Sequence, residues 1–221
     1  MPSKNEYKVV RCFYRKNDYD NPNNFELGCE ILTISNYGTN NSIADCCSAW
    51  RMLEEGCPHL MDANPALVNG SLHWKIDLVW ERREDEQILS FDLEAEKLWI
   101  LPIPPCVIRN PETLNLAELR QDLWLSHYDY SIPHVMDMWV LKDFEKFAWV
   151  KVYSIDFSPI NTSTGKYELT FVLNVRNEEL LILMNSGRLI YYNLKTKSFT
   201  DLGAPRNGFN FCYYTDVVSF H

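Results

Sequence analysis

The chain has 221 residues, 46% of them hydrophobic and 14% aromatic, with a formal charge of −9. That is enough apolar material for a substantial core, as one large domain or two small ones, and rings in this abundance favour pleated surfaces. The acidic balance argues against nucleic acid, because a phosphate-binding surface needs clustered Lys and Arg that release counterions.

The opening MPSKNEYKVV has no apolar run of signal-peptide length, and no stretch reaches the ~18 apolar residues that span a bilayer. Seven cysteines (12, 29, 46, 47, 57, 106 and 212) include no C-x-x-C pair. An odd, scattered set of this kind suits reduced thiols, so the expected setting is the cytosol or nucleus, with no membrane partner. The sequons at Asn40, Asn69 and Asn161 then carry no weight.

In chain order, the first predicted strands are YKVVRCFY (7–14) and CEILTIS (29–35), followed by SAWRML with Trp50. Next come GSLHWKI (70–76), QILSFDL (87–93) and the run opened by Trp99. The turn signal Asn69-Gly70 separates the first of these from what precedes it. The segment NPETLNLAELRQ (110–121) can be written as a short helix or as the outer strand of a new unit. DLWLSHY (122–128), DMWVLKD (137–143) and the run containing Trp149 follow. ELLILMN (179–185), RLIYYNL (188–194) and the run with Phe199 come last, ahead of a strand-like tail, NFCYYTDVVSFH.

Trp50, Trp99, Trp149 and Phe199 are spaced by 49, 50 and 50 residues. A period near 50 suits a kelch-like propeller blade of about four strands. Runs such as LLIL and WILPI are apolar on both faces, which is what blades stacked between blades require. The expected fold is therefore all-β: one antiparallel propeller-like array over residues 1–221. Its four units run roughly over 5–55, 65–105, 115–157 and 168–203, with a terminal strand at 209–221. The four aromatics are expected at equivalent places as the repeat core. Four units are few for a closed ring, so an incomplete propeller is also compatible.

Together, NGSLHW, ILSFDLEAEKLWILPIPP, MWVLKDFEKFAWVKVYSI and LLILMNSGRLIYYNLKTKSFTDLG resemble the F-box-associated domain of plant F-box proteins, from Tyr7 to the end of the chain. The resemblance implies a propeller-like module that selects the protein to be ubiquitinated by a Skp–cullin–F-box ligase, for proteasomal degradation. In that family an N-terminal F-box binds the ligase adaptor. No F-box is read here, since nothing ahead of Tyr7 has its length or helical pattern. The adaptor would be a partner only through an F-box upstream.

Catalytic constellations are weak. Ser126, His127 and Asp129 lie on alternating sides of one strand and cannot form a triad alone. NTSTGK (161–166) ends like a phosphate loop but has Ile160 where the first glycine is needed. His59, His73, His127, His134 and His221 lack metal-ligand spacing, and Cys46-Cys47 has no neighbouring His in sequence. No cofactor, metal or catalytic residue is expected. Partner binding is easier to place, on loops that differ while the strands repeat: 15–28, 77–86, 128–136, the tight 185–188 and the joining 202–210. Trp80, Tyr128, Tyr130 and His134 offer amphipathic rings, and Arg82, Arg83 and Arg206 offer charges for an acidic target. Arg82-Arg83 sits among Glu81, Glu84, Asp85 and Glu86, as a solvated charged loop also would. The alternative function is a propeller enzyme or a carbohydrate or small-ligand binder, with carboxylates at a central mouth.

Overall fold

The computed structural model describes residues 6–16, 26–35, 49–53, 65–76, 87–104, 114–128, 134–160, 170–184 and 186–203. Among them every regular element is a β-strand, and the strands form four antiparallel sheets in chain order. The first sheet holds β1 (Glu6–Lys16), β2 (Glu26–Ser35) and β3 (Arg51–Met52). The second holds β4 (Ala66–Val68), β5 (Ser71–Lys75), β6 (Gln87–Asp92) and β7 (Lys97–Pro102). The third holds β8 (Leu114–Leu119), β9 (Asp122–Tyr128), β10 (Val135–Asp143) and β11 (Ala148–Asp156). The fourth holds β12 (Thr170–Arg176), β13 (Glu179–Met184), β14 (Leu189–Asn193) and β15 (Ser198–Gly203). The all-β expectation is met, and the ambiguous 110–121 stretch supplies strand β8. Its Leu114 and Leu119 are buried, one at each end of a strand that pairs with β9.

Two turn types recur, and each has a local cause. The first and second strands of sheets two to four are joined by two residues, both left-handed. They are Asn69-Gly70 (φ 50° and 73°), Arg120-Gln121 (56° and 66°) and Asn177-Glu178 (47° and 64°). This is the hairpin turn whose twist matches that of the flanking strands. Only the first copy has the Asn-Gly that best tolerates it. Arg120, Gln121 and Glu178 carry side chains into a region where a Cβ costs about 1–2 kcal/mol.

The third and fourth strands are joined by a longer turn opened by Asp or Asn. The Asp92 carboxylate accepts hydrogen bonds from the amides of Glu94 (2.8 Å) and Ala95 (2.7 Å). Asp143 does the same for Glu145 and Lys146, both at 3.0 Å, and Asn193 for Lys195 (3.1 Å) and Thr196 (2.9 Å). A short Asp or Asn side chain reaches amides two and three residues ahead, mimicking a backbone turn. Each turn then closes through one left-handed residue: Glu96, Phe147 or Lys197. DLEAEK, DFEKFA and NLKTKS are thus one turn written three times.

The register corrects one equivalence. Counted from these turns, the pairs are Phe91 with Leu98, Leu141 with Trp149, and Tyr192 with Phe199. Leu98, rather than Trp99, therefore matches Trp149 and Phe199. Trp99 lies one residue further on, so the strand's twofold alternation turns it to the other face. Leu98 packs toward the first sheet, Trp149 toward the second and Phe199 toward the third. Trp50 is exposed on the first sheet's outward face, where the Arg11 guanidinium lies 4.8 Å from its ring centre. Trp99 faces the third sheet beside His73 and Phe144.

Consecutive sheets stack face to face. Ile31 of the first meets Trp74, Ile76, Leu89 and Phe91 of the second. Val68, Ile88 and Leu101 of the second meet Leu123, Leu125, Trp139 and Leu141 of the third. Met136, Met138, Val140 and Phe157 close against Val172, Leu180, Ile182 and Tyr192. Each fully buried Leu, Ile or Phe contributes roughly 1.5–3 kcal/mol, so the stacking is the main stabilising term.

Buried polar groups join the stack at one place with a pH consequence. His73 is 0% exposed, and its Nδ1 lies 2.8 Å from the Ser90 hydroxyl. Burial lowers its pKa to about 4, against which a backbone hydrogen bond at Val68 acts only in part. The unfolded chain therefore binds a proton below pH 6.5 that the folded chain refuses until about pH 4. Stability should fall by up to about 3 kcal/mol across that window and be fully retained above it. Urea titrations at stepped pH check this, and His73→Asn should remove that part of the slope. Separately, replacing Arg120-Gln121 by Asn-Gly should raise stability by about 1–2 kcal/mol, measured by urea denaturation at pH 7.

Candidate functional site

The two ends of the four-stranded sheets differ. One end carries only the short turns already described. At the other end the chain runs from Lys75 to Gln87, from Tyr128 to Val135 and from Met184 to Leu189 within sheets. The connections between sheets, from Pro102 to Leu114 and from Asp156 to Thr170, leave from the same end. The Lys75 ammonium donates to the Leu114 carbonyl at 2.7 Å, fixing the end of β5 beside the start of β8. Uniform turns on one end and connections of varied length and chemistry on the other are how a repeated scaffold carries recognition.

In the third sheet this end is built around His134. Its backbone is left-handed (φ 70°), and its carbonyl accepts the Phe157 amide at 2.6 Å, tying the β9–β10 connection to the end of β11. Tyr128 is 3% exposed, with its ring edge-on to Phe157 at 6.4 Å. Its hydroxyl lies 3.5 Å from His134 Nδ1. Tyr128 is therefore a brace under the connection and offers no ring to a partner, which corrects the expectation drawn from its sequence position. Two residues on from Tyr128, Tyr130 falls outside the described residues. Beside His134, the Ser158 hydroxyl and amide donate to Asp156 and hold its carboxyl below the usual carboxylate range.

In the fourth sheet the Met184–Arg188 turn closes through the Met184 amide and the Arg188 carbonyl at 2.9 Å. Arg188 then pairs with Asp201 at 2.5 Å. Hydrogen bonds from the Arg188 side chain and the Gly203 amide hold Asp201 below its ordinary range. Sequence reasoning passed over this pair, because nothing in the sequence alone brings residues 188 and 201 together. The register of β14 on β15 does so, with Leu189 opposite Gly203.

The first sheet is oriented by a charged clamp. Lys8, near the start of β1, donates to the Leu93 carbonyl (2.6 Å) and to Glu96 (2.8 Å). Arg51, at the start of β3, reaches the other Glu96 oxygen at 2.6 Å. Desolvation would raise the Glu96 pKa, but hydrogen bonds from Lys8 and Arg51 outweigh it and hold the group ionised. These ends of the sheet thus lie beside the short 93–96 turn. The opposite end of the β1–β2 pair, where Lys16 stands opposite Glu26, lies away from it.

Trp80, Arg82, Arg83 and Arg206 lie outside the described residues, as does the 161–166 segment. Ile76, where the 77–86 connection begins, is buried. His73 and His127 are buried within the sheet stack, and Ser126 and His127 face opposite sides of β9. The structure thus gathers His134, Asp156, Ser158 and Tyr128 at one corner, with Tyr128 beneath it.

A family model described as the F-box associated beta propeller domain matches residues 2–210. The F-box protein At3g07870 of Arabidopsis thaliana is 30% identical over 97% of this chain and 56% of its own length. The Arabidopsis F-box/kelch-repeat protein At4g19930 is 27% identical over 85% of the chain and 41% of its own. The Arabidopsis F-box protein CPR1 is 26% identical over 89% of the chain and 48% of its own. The chain spans about half the length of these curated relatives. The match of the family model over residues 2–210, on a chain that folds as stacked antiparallel sheets, places it in the F-box associated beta propeller domain family.

Proposed function

We propose that the chain is the target-recognition part of a Skp–cullin–F-box ubiquitin ligase receptor, acting in the cytosol or nucleus as one domain over residues 1–221. The observation that carries this reading is the difference between the two ends of the sheets. Turns at one end repeat to the level of single hydrogen bonds, whereas connections at the other share neither length nor composition. Membership of an F-box associated family supports the ligase context. The role is non-catalytic: the domain holds a target protein, and the ligase complex supplies the chemistry. The adaptor is a partner only through an F-box.

In this reading the target docks on the end carrying 77–86 and 129–133. Trp80 and Tyr130 supply apolar anchors, His134 and Arg206 contribute polar contacts, and Arg82 and Arg83 steer an acidic patch. A buried aromatic anchor is typically worth ~2 kcal/mol or more, while rim charges act mainly on association rate. Trp80→Ala should therefore weaken capture of a target by about tenfold or more at unchanged melting temperature. The paired change Arg82→Ala and Arg83→Ala should act mainly at low salt. Quantitative affinity capture with both variants checks this. Unfolding of Trp80→Ala would assign that ring to the scaffold, and unchanged binding in both variants would move the recognition surface elsewhere. Residues 1–221 offered to purified adaptor should show no one-to-one complex.

A further inference from the structure

Cys12 on β1 and Cys29 on β2 are directly opposite in the register, with their Sγ atoms 3.3 Å apart. No disulfide bond joins them; Cys29 is 2% exposed and Cys12 is partly open to solvent. Cys29 directs its backbone away from β1, because its carbonyl accepts the amide of Leu53 at 2.8 Å on the β3 side. Cys12 and Cys29 therefore form a non-hydrogen-bonded pair, the kind whose Cα atoms approach to about 4.5 Å. Their side chains share the face of Val10 and Ile31, toward the second sheet. The pair lies toward the end where Lys16 stands opposite Glu26, away from the Lys8–Glu96 clamp.

We propose that Cys12 and Cys29 are a reversible disulfide-forming pair that staples the β1–β2 hairpin. The oxidant is a small disulfide of the glutathione class. The Cys12 thiolate, on the more accessible residue, attacks one sulfur of that disulfide, forming a mixed disulfide and expelling one thiolate. The Cys29 sulfur then attacks Cys12 Sγ and expels the second. Two electrons pass from the protein thiols to the small disulfide, and the two cysteine protons go to the released thiolates. The proximity of the two sulfurs makes the second step intramolecular.

A directly opposed, non-hydrogen-bonded pair sits at the short end of the Cα spacing that disulfides span. A bridge there is more reducible than a relaxed structural one, so it responds to the ambient thiol balance. The other five cysteines need take no part. The proposal is independent of which protein the domain recognises.

The test uses the full chain, folded, equilibrated in glutathione buffers of graded ratio, then alkylated and cut with trypsin, which frees Cys12 between Arg11 and Arg15, and with a glutamate-specific protease, which frees Cys29 between Glu26 and Glu30, apart from Cys46 and Cys47. The expected result is a loss of about 2 Da and a peptide carrying Cys12 joined to the one carrying Cys29 until reductant is added. Cys12→Ser and Cys29→Ser should each abolish that species. A variant combining Cys46→Ser, Cys47→Ser, Cys57→Ser, Cys106→Ser and Cys212→Ser should retain it. The proposal is overturned if both cysteines stay open to alkylation while other thiols oxidise. It is equally overturned if either joins a different cysteine in preference, or if the 12–29 link forms only after urea unfolding. Because the wild-type chain is mapped directly, a variant that fails to fold does not decide the outcome.

Discussion

A sheet that is apolar on both faces can be kept from water only between two others. That constraint organises this protein. The second sheet turns Leu89, Phe91 and Leu98 to one neighbour and Ile88 and Leu101 to the other, and the third sheet divides its residues in the same way. A single unit could bury only half of what its sequence encodes, so the units are stable as a stack. The end sheets show the same rule by exception. Tyr7, Val9 and Met52 on the first sheet, and Phe171 and Tyr191 on the fourth, remain exposed on the outward faces.

Stacking demands register, because a slip of one residue moves every side chain to the wrong face. The turns supply it. A two-residue left-handed turn leaves no slack between first and second strands, and an Asp or Asn anchors each turn between third and fourth. The cost is visible in Arg120, Gln121 and Glu178, held where glycine would be more comfortable. The scaffold accepts local strain because the sheet packing gains more from correct register than the turn loses.

The same rigidity makes the other end available for variation. Connections anchored by Lys75 on Leu114, by His134 on Phe157 and by Arg188 on Asp201 can change between their anchors without disturbing the core. Ionic contacts join sheets where apolar packing stops, as Lys8, Arg51 and Glu96 do at the short-turn end of the first two sheets. At 17% and 23% exposure, the Lys8–Glu96 pair is partly screened from water, so it orients the sheets more than a rim pair would.

Strand identity was readable from the sequence because alternation and turn residues are local properties. Strands β1 and β2, the two inner strands of each four-stranded sheet, the Asn69-Gly70 turn and the repeated Asp or Asn turns all follow from residues a few positions apart. The period near 50 followed too, since Trp99, Trp149 and Phe199 lie within the first three residues of the last strand of sheets two to four. Sequence distance alone could not tell Leu98 from Trp99, because facing depends on counting from the turn, which hydrogen bonds define. Nor could it show that Tyr128 points inward, that Arg188 meets Asp201, or that Cys12 and Cys29 stand opposite one another. Each of those depends on two strands held in a particular register, and register is decided by the packing of the whole stack.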